Sequence, residues 1–355
     1  MKINAIGLMS GTSLDGLDIA FCQFALEDEK WTYELVHANS INYPDSLRSE
    51  LKNTIHYDDL KLIELHNSLG KLFGEWTNEF MLKNEIKPDL IASHGHTIFH
   101  DPKNNFTLQI ANGNEICKIT NTETICDFRT TNVALNGQGA PLVPIGDELL
   151  FSEYDFCLNL GGIANISFRE NGERIAYDIC TCNMLLNYLA NIEGKEFDKD
   201  GSMAHKGKLI PELLTQLNNN EYYKSNAPKS VGVEWFNKNI LPIIDNSNRA
   251  TIDLLHTSCI HISEQIATTI NKHTNKDSKV LITGGGTLNL FLVQKIKEAA
   301  NCDIIIPSTE IINFKEAIIF AFMGVLRKLN IDNVLSSVTG STKNHCAGIV
   351  YCAPN

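Results

Sequence analysis

Short blocks of apolar residues alternate along this chain with amphipathic segments, and this pattern predicts strands interleaved with helices. The first part of the chain has predicted strands at about 4–9, 17–24, 33–37, 90–93, 107–110 and 124–126, and predicted helices at about 45–54, 60–83 and 115–120. The second part has a predicted hairpin at 156–167, predicted strands at about 174–177, 280–283 and 304–306, and predicted helices at about 183–191, 251–273, 288–299 and 315–328. Such alternation indicates an α/β fold.

A turn of small and hydroxyl residues separates the first two predicted strands. It contains Ser10, Gly11, Thr12, Ser13, Asp15 and Gly16. Glycines let backbone amides approach a ligand, and successive exposed amides form a concave site for an anion. Asp15 has the wrong charge to contact phosphate but the right charge to hold a cation beside it. The turn therefore predicts a nucleotide phosphate loop with a metal carboxylate, and an ordinary hairpin with a polar turn is the alternative.

Two further glycine turns occur later in the chain. Gly161 and Gly162 separate the apolar runs of a second hairpin, in which Asn165 follows, and a third turn contains Gly284, Gly285 and Gly286. Two such hairpins suggest a duplicated unit, while the third turn allows a purine to approach and opens a helix that favours anions. The three turns in this order resemble the sugar kinase, Hsp70 and actin superfamily. That resemblance implies two related actin/hexokinase-like (ribonuclease H-like) domains with an ATP cleft between them.

Length and charge narrow the possible domains and partners. The chain has 355 residues, of which 43% are hydrophobic, and a formal net charge of −12. This length supports about two domains, and we place their boundary near Thr130, so that the first covers 1–130 and the second 131–355. The negative charge argues against nucleic acid as a partner.

The distribution of apolar residues and cysteines bears on cellular location. No apolar run reaches the roughly 20 residues that a membrane helix needs, and the N-terminal apolar run lacks a cleavage site. The ten cysteines are scattered, several of them in apolar runs, which predicts reduced thiols in a cytoplasmic protein without membrane contact. A zinc site at Cys180 and Cys182 is disfavoured because no partner pair occurs at metal spacing.

Polar residues that follow predicted strands form a candidate substrate site. His94 and Thr97 belong to a histidine-rich segment that we interpret as a substrate loop, with a metal site as the alternative. Arg129 follows another predicted strand, where its guanidinium group can bind a planar acid through two hydrogen bonds. A structural ion pair is the alternative. Gln138 lies between two glycines and ahead of a proline, a composition that predicts a rigid, exposed loop.

Eight segments narrow the resemblance further. They occur in the order MSGTSLDG, SHGHTIFH, DFR, GQGAPLVP, LGGIANIS, FDKDG, GGG and SVTG. Together they resemble the anhydro-N-acetylmuramic acid kinase family from Gly7 to Gly340. The resemblance implies an enzyme that uses ATP and Mg²⁺ to hydrolyse the 1,6-anhydro ring of 1,6-anhydro-N-acetylmuramic acid and to phosphorylate O6. The product would be N-acetylmuramic acid 6-phosphate, in cell-wall recycling, and the enzyme would be a homodimer.

The resemblance also assigns roles to single residues. It makes Asp178 the general base that activates water and Glu316 a second catalytic residue, which faces the sugar. It places Asn183 in the substrate site and makes Asp15 the carboxylate that holds Mg²⁺. It places Gly11, Thr12 and Ser13 of the first turn and the two glycines of the second turn on the phosphates, and the three glycines of the third turn beside adenosine. A helix N-cap is the alternative for Asp178, and a surface glutamate at a helix start is the alternative for Glu316.

The sequence departs from the family pattern after Asp178. Where members have Asp-Thr-Gly-Pro-x-Asn, this chain has Asp178-Ile179-Cys180-Thr181-Cys182-Asn183, Asn187 replaces a later acid, and Val233 stands where many members have arginine. These changes leave two other functions open. One is a kinase for a different amino sugar, and the other is a non-catalytic sugar or nucleotide sensor of the same fold.

Overall fold

The computed structural model describes residues 1–11, 13–274 and 277–353. The chain divides into two compact units, one formed by Met1–Phe151 and Phe314–Asn355 and the other by Ser152–Asn313. The first unit therefore extends beyond the boundary expected near Thr130 and includes the C-terminal segment.

The elements up to residue 151 alternate as the apolar pattern suggests. They are β1 (Lys2–Met9), β2 (Gly16–Glu27), β3 (Lys30–Asn42), α1 (Asp45–Lys52), α2 (Asp59–Lys83), β4 (Leu90–Ser93), β5 (His96–Asp101), β6 (Phe106–Ile110), α3 (Gly113–Thr120), β7 (Thr124–Cys126), α4 (Thr130–Ala134) and α5 (Pro144–Leu149), with 3₁₀ turns at Thr54–His56 and Pro102–Asn104.

The following elements repeat this alternation. They are β8 (Phe156–Leu160), β9 (Ile163–Glu170), β10 (Glu173–Thr181), α6 (Asn183–Ile192), α7 (Ser202–Lys206), α8 (Pro211–Asn218), α9 (Glu221–Lys224), α10 (Val233–Asn239), α11 (Leu241–Asp245), α12 (Thr251–Asn271), β11 (Lys279–Thr283), α13 (Leu290–Ala299) and β12 (Asp303–Ile305), with 3₁₀ turns at Lys199–Gly201 and Gly285–Leu288. The chain continues with α14 (Thr309–Lys328), α15 (Ser336–Thr339) and β13 (Ile349–Tyr351).

The two units contain sheets of the same topology. The strand order is β13-β7-β4-β1-β2-β3 in the first unit and β10-β9-β8-β11-β12 in the second. In each, three consecutive strands pair antiparallel, and two later strands extend the sheet in parallel from the first of the three. The repeated order confirms the prediction of an α/β fold built from two related units.

Close packing of α14 explains why the C-terminal segment belongs to the first unit. A Cβ atom at Gly7 in β1 would overlap the carbonyl group of Ala317 in α14, and one at Gly324 would lie 2.6 Å from the Cβ atom of Ala92 in β4. Glycines at these two positions let the helix lie directly on the central strands. An apolar helix late in the sequence thereby covers the first sheet, a contact that local sequence patterns do not reveal.

The core of the second unit forms around α12. Buried Cys259, Ile262, Ile266 and Ile270 recur at intervals of three and four residues and therefore lie on one face of this helix. That face belongs to the same cluster as apolar side chains of the sheet, including Ile282 of β11. Within the described residues, every helix is too short or too polar to cross a membrane.

Three local expectations differ from the structure. Residues 96–101 form a strand that pairs with β6, so the histidine-rich segment is largely a hairpin rather than a loop. Asp178 lies inside β10, where it pairs with Asn165 of β9, and Cys182 occupies the N-cap position of α6. The helix N-cap alternative for Asp178 is therefore wrong. Glu316 lies inside α14, not at its start.

Candidate active site

The turn between β1 and β2 begins with a serine whose hydroxyl group is used inside the protein. Ser10 is 1% exposed, and its Oγ accepts a hydrogen bond from the Tyr43 hydroxyl group at 2.6 Å and lies 2.9 Å from His96 Nδ1. Burial lowers the pKa of His96 to about 4, so the ring is neutral at neutral pH. The hydroxyl group of Ser10 therefore helps to position the turn.

The other residues of this turn differ in how far packing explains them. Ser13 and Asp15 are exposed and Gly11 is half-buried, so all three have solvent access. A Cβ atom at Gly16 would overlap a carbonyl group of β3, which means that strand packing accounts for this glycine. Thr12, which we expect to bind phosphate, lies outside the described residues.

Arg129 and His94, both predicted to bind substrate, contact each other. Arg129 donates from Nε and Nη2 to His94 Nε2, at 3.1 and 2.8 Å, and from Nη1 to the Gly139 carbonyl oxygen. His94 Nδ1 lies 3.0 Å from the Gly95 carbonyl oxygen, which assigns the ring proton to Nδ1. Burial, reinforced by Arg129, holds the pKa of His94 well below its ordinary value. The fork of Arg129 is therefore fixed by a neutral histidine and a carbonyl group rather than by an acid.

The glycine-rich loop around Gln138 is anchored by a buried asparagine. Asn132 Oδ1 accepts from the Gly139 amide at 2.7 Å, and Asn132 Nδ2 donates to Thr339 Oγ1 at 2.9 Å. The Gln138 amide donates to the Thr339 carbonyl oxygen at 2.7 Å, while the Gln138 side chain is exposed. Sequence reasoning missed Asn132. The other anchor, Thr339, lies in the SVTG segment that contributed to the family resemblance.

The β5–β6 hairpin lies beside this loop. Thr97 is half-buried and its Oγ1 accepts from Gln109 Nε2 at 3.4 Å. Burial and the nearby Arg129 lower the pKa of His100, while a hydrogen bond with the backbone of Gln138 opposes this change. Thr97 of the hairpin and Arg129 and Gln138, which follow more than 30 positions later, therefore belong to one region of the first unit.

Glu316 extends this region from α14. Its side chain keeps solvent access, but the surrounding protein atoms raise its pKa, an effect that Asp18 reinforces and that Arg129 and Lys315 oppose. Desolvation lowers the pKa of Arg129 to about 10, partly offset by Glu316. Arg129 therefore stays protonated at neutral pH, and Glu316 is a carboxylate with a raised proton affinity.

A buried ion pair lies next to Glu316. Lys315 Nζ is 2.7 Å from Asp147 Oδ1, and both side chains are less than a tenth exposed. Breaking a buried pair leaves an uncompensated charge, so the pair holds α14 against α5, the short helix that contains Asp147. Sequence reasoning did not identify this pair, because its members are 168 positions apart and neither lies in a recognisable motif.

Asp178 belongs to a row of polar residues across the sheet of the second unit. Thr283 pairs with Asn159, Asn159 with Asn165, and Asn165 with Asp178, so their side chains lie on one face. Asp178 Oδ2 accepts from the Val231 amide at 3.0 Å. Burial raises the pKa of Asp178, and this hydrogen bond partly opposes the shift. The row brings Asp178 and Asn165, which were assigned to different roles, side by side.

The glycines of the second unit fall into two groups. Gly162 has no atom within 4 Å of a Cβ position, and at Gly285 the nearest atom is 3.9 Å away, so both turns leave open space there. A Cβ atom at Gly284, where φ is 85°, would overlap Asn159, and one at Gly286 would lie 2.7 Å from Leu160 Cβ. Packing against β8 therefore accounts for Gly284 and Gly286. At Gly161 the nearest atom is 3.2 Å away, which is tight.

Asn183 links these two turns. Its Nδ2 donates to the Leu160 carbonyl oxygen at 3.0 Å, and its backbone amide donates to the Gly161 carbonyl oxygen at 3.1 Å. It therefore lies within the second unit beside the predicted phosphate turn at 161–162, and its Oδ1 and Nδ2 atoms lie 3.1 and 3.9 Å from the Cβ positions of Gly286 and Gly285.

The unusual residues after Asp178 are mostly core residues. Ile179, Cys180 and Cys182 are at most 2% exposed and belong to the apolar cluster of the second unit. Burial raises the pKa of Cys182 to about 12, so its thiol stays protonated and unreactive. Val233 begins α10 and is 54% exposed.

Within the described residues, no group of three or more His, Cys, Asp or Glu side chains is arranged to hold a metal ion. The three histidines of the β4–β5 segment instead have ring nitrogens at hydrogen-bond distance from Gly95, Ser10 and Thr107.

Comparison with known proteins identifies the family. The family model described as anhydro-N-acetylmuramic acid kinase matches residues 3–353. The anhydro-N-acetylmuramic acid kinase of Aliivibrio fischeri is 34% identical over 373 residues, which covers 98% of this chain and 99% of that protein. The enzyme of the same name from Vibrio cholerae is 33% identical over 368 residues, covering 98% and 97%.

A solved structure also aligns along most of the chain. The ROK hexokinase from Thermus thermophilus covers 92% of this chain and 100% of its own, at 11% identity and a TM-score of 0.40, a similarity too low to carry a conclusion. The family model and the full-length relatives are decisive without it. This chain belongs to the anhydro-N-acetylmuramic acid kinase family.

Proposed function

We propose that this protein is an ATP-dependent kinase that hydrolyses the 1,6-anhydro ring of 1,6-anhydro-N-acetylmuramic acid and phosphorylates O6. The product is N-acetylmuramic acid 6-phosphate, a compound of cell-wall recycling. The observation that carries the proposal is the position of Asp178, a half-buried carboxylate with raised pKa in the same unit as the open glycine turn at 161–162. The full-length family match supports the choice of substrate.

Asp178 is suited to take a proton from water. Within the described residues, the Val231 amide is the one donor to its carboxylate, which leaves Oδ1 for a water molecule. As the water oxygen bonds to the anomeric carbon, its proton passes to Asp178 and the bond between that carbon and O6 breaks. O6 then bonds to the γ-phosphorus of ATP as the bond from that phosphorus to the bridging oxygen breaks, and ADP leaves. A raised pKa favours this role because the conjugate acid forms more readily near neutral pH.

Residues of the first unit supply groups for the sugar. Two of the five guanidinium N–H groups of Arg129 are left after its bonds to His94 and Gly139, and they suit a carboxylate or a pair of hydroxyl groups. Glu316 accepts hydrogen bonds from sugar hydroxyl groups. Thr97 and Gln138 add polar contacts from the adjoining hairpin and loop.

Exposed backbone at the glycine turns supports binding of ATP, which supplies the phosphoryl group. Gly162 and Gly285 leave room beside the backbone that a Cβ atom would fill. Gly11 and Ser13 offer a second accessible turn in the first unit. Mg²⁺ is usually held by one or two carboxylates together with substrate phosphates. Asp15, which is exposed at the end of that turn, would be its carboxylate.

Two further parts of the proposal rest on the family resemblance and on composition. The resemblance supports a homodimer, which light scattering coupled to gel filtration tests directly. The scattered cysteines support a cytoplasmic protein, which fractionation of the source cells tests.

The test is an assay of purified protein with Mg²⁺, ATP and 1,6-anhydro-N-acetylmuramic acid, with the product identified by mass. A product heavier by one water and one phosphoryl group supports the proposal. A panel of ordinary hexoses and amino sugars serves as the control for specificity. Faster turnover of a sugar without an anhydro ring would overturn the proposed substrate while leaving the kinase activity in place.

A further inference from the structure

A cavity of about 220 Å³ lies within the second unit, apart from the glycine turns. Its walls are β9, β10, α12 and the segment 223–229. Tyr177 and Ile179 line it, whereas Asp178 between them does not, because successive residues of a strand face opposite sides. None of the residues assigned to ATP, sugar or metal lines this cavity.

Two lysines share the cavity. Lys229 is half-buried, and its Nζ donates to the Tyr222 carbonyl oxygen at 3.2 Å and lies 4.7 Å from the centre of the Tyr222 ring. Lys272 follows the last turn of α12 and is exposed at the cavity. Burial and the like charge of Lys272 lower the pKa of Lys229. The two ammonium groups are therefore close enough to repel each other.

The negative charge near these lysines is limited. Within the described residues, no carboxylate oxygen lies within 4.0 Å of either amine, and the acid that lines the cavity, Glu170, lies 3.7 Å from His273 Nδ1. A position after a helix C-terminus accounts for a lysine at 272, and the Tyr222 ring offers Lys229 a cation–π contact. Neither effect explains why two cations face one partly enclosed space.

We propose that this cavity binds the phosphate group of a small molecule. Two ammonium groups balance a dianion, and the hydroxyl groups of Thr268 and Thr269 and the amide group of Gln265 supply further donors. These donor groups outnumber the two oxygens of a carboxylate, which favours phosphate as the bound group. The volume lies below the roughly 300–1,000 Å³ of pockets for drug-sized ligands, which favours inorganic phosphate or a small phosphate monoester.

The cavity is connected to Asp178 through the segment that carries Lys229. The Lys229 carbonyl oxygen accepts from the Asp178 amide at 3.2 Å, the Val231 amide donates to Asp178 Oδ2, and the Tyr222 hydroxyl group donates to the Asp178 carbonyl oxygen at 2.7 Å. A ligand that fixes Lys229 also fixes these three contacts. An effect of the ligand on turnover therefore follows, and this step rests on the proposed role of Asp178.

Binding is tested by calorimetry with inorganic phosphate and, separately, with glucose 6-phosphate, in the presence of a saturating non-hydrolysable ATP analogue that occupies the nucleotide site. Lys229→Gln and Lys272→Gln each remove one charge. Lys224→Gln is the matched control, because Lys224 pairs with Glu221 outside the cavity. We expect about tenfold weaker binding in each cavity variant, as for the loss of one charge-assisted hydrogen bond, and unchanged binding in the control. Tighter binding of the ester than of free phosphate identifies an ester as the ligand, and the reverse identifies the free ion.

Equal affinity in the wild type and both cavity variants would overturn the site, as would the absence of any binding at millimolar phosphate. Turnover measured with and without the tighter ligand tests the connection, with Lys272→Gln as the variant that should lose the response. A ligand that binds without changing turnover would overturn the connection alone. Because binding is measured without the reaction, failure of the site and failure of the proposed kinase activity are separate results.

Discussion

Substitution of Asp178 by asparagine separates the proposed chemical role of this residue from its structural role. The asparagine carbonyl oxygen can still accept from the Val231 amide, which is 3.0 Å from Asp178 Oδ2. The other contacts of Asp178, with Lys229 and Tyr222, use its backbone and do not change. The variant therefore keeps the local geometry and removes the group that accepts a proton.

The expected loss of activity follows from the loss of general-base catalysis. A positioned base contributes about 10²–10⁴-fold to the rate, or about 2.7–5.4 kcal/mol in activation free energy. Stability should not fall. Burial raises the folded-state pKa of Asp178 above its ordinary value of 3.8. At pH values above 3.8, the charged carboxylate therefore lowers the free energy of unfolding. Asp178→Asn should therefore unfold at an unchanged or higher temperature.

The assay combines product formation, the pH profile of kcat and thermal unfolding. In the wild type, activity should rise with pH through a pKa that is higher than 3.8, because Asp178 must be deprotonated to act. Asp245→Asn is the matched control, since Asp245 is an exposed acid of the same unit that accepts from Tyr188. A folded Asp178→Asn variant with kcat within about threefold of the wild type would refute the reasoning.

Three other substitutions probe the remaining residues. Arg129→Lys removes the guanidinium group that contacts the buried histidine, so KM for the sugar should rise about 10–100-fold. The control Arg48→Lys, at an exposed ion pair, should leave KM unchanged. Equal KM values for the two variants in steady-state kinetics would contradict the assignment. Glu316→Gln removes a carboxylate with raised pKa, so kcat should fall at least about tenfold with no loss of thermal stability, and an unchanged kcat would exclude it from the reaction. Gly284→Ala introduces a Cβ atom at a φ of 85° against β8 and should lower the free energy of unfolding in urea by about 1–3 kcal/mol, whereas Gly162→Ala meets open space and should raise KM for ATP without that loss; equal stability losses would refute the distinction.

Local patterns predicted most of the regular elements. The strand at 90–93 and the segments 115–120 and 124–126 agree closely with β4, α3 and β7, because short apolar runs between polar turns carry their own signal. The hairpin at 96–101 was missed because its polar residues resemble a loop, and its pairing partner β6 supplies the missing information. Helix α14 begins at Thr309, six residues before the predicted start near Lys315.

The candidate site was predicted unevenly. The motifs named Arg129 and His94 separately, but their mutual hydrogen bonds join residues 35 positions apart. The same motifs treated the three glycines at 284–286 as one ligand-binding turn. Packing against β8 now accounts for Gly284 and Gly286, while Gly285 remains next to open space. A glycine that avoids a clash and a glycine that admits a ligand have the same letter, and only the neighbouring atoms distinguish them.

By itself, the sequence determined the α/β class, the duplicated hairpins and the family, because periodicity and motif order are properties of neighbouring residues. The tertiary structure decided which residues share a region. It brought α14 onto the first sheet, fixed Arg129 against a neutral His94, aligned Asp178 with Asn165, and placed Lys229 opposite Lys272 in a cavity. These arrangements depend on contacts between distant segments, and burial at such contacts sets the pKa values on which the chemistry depends.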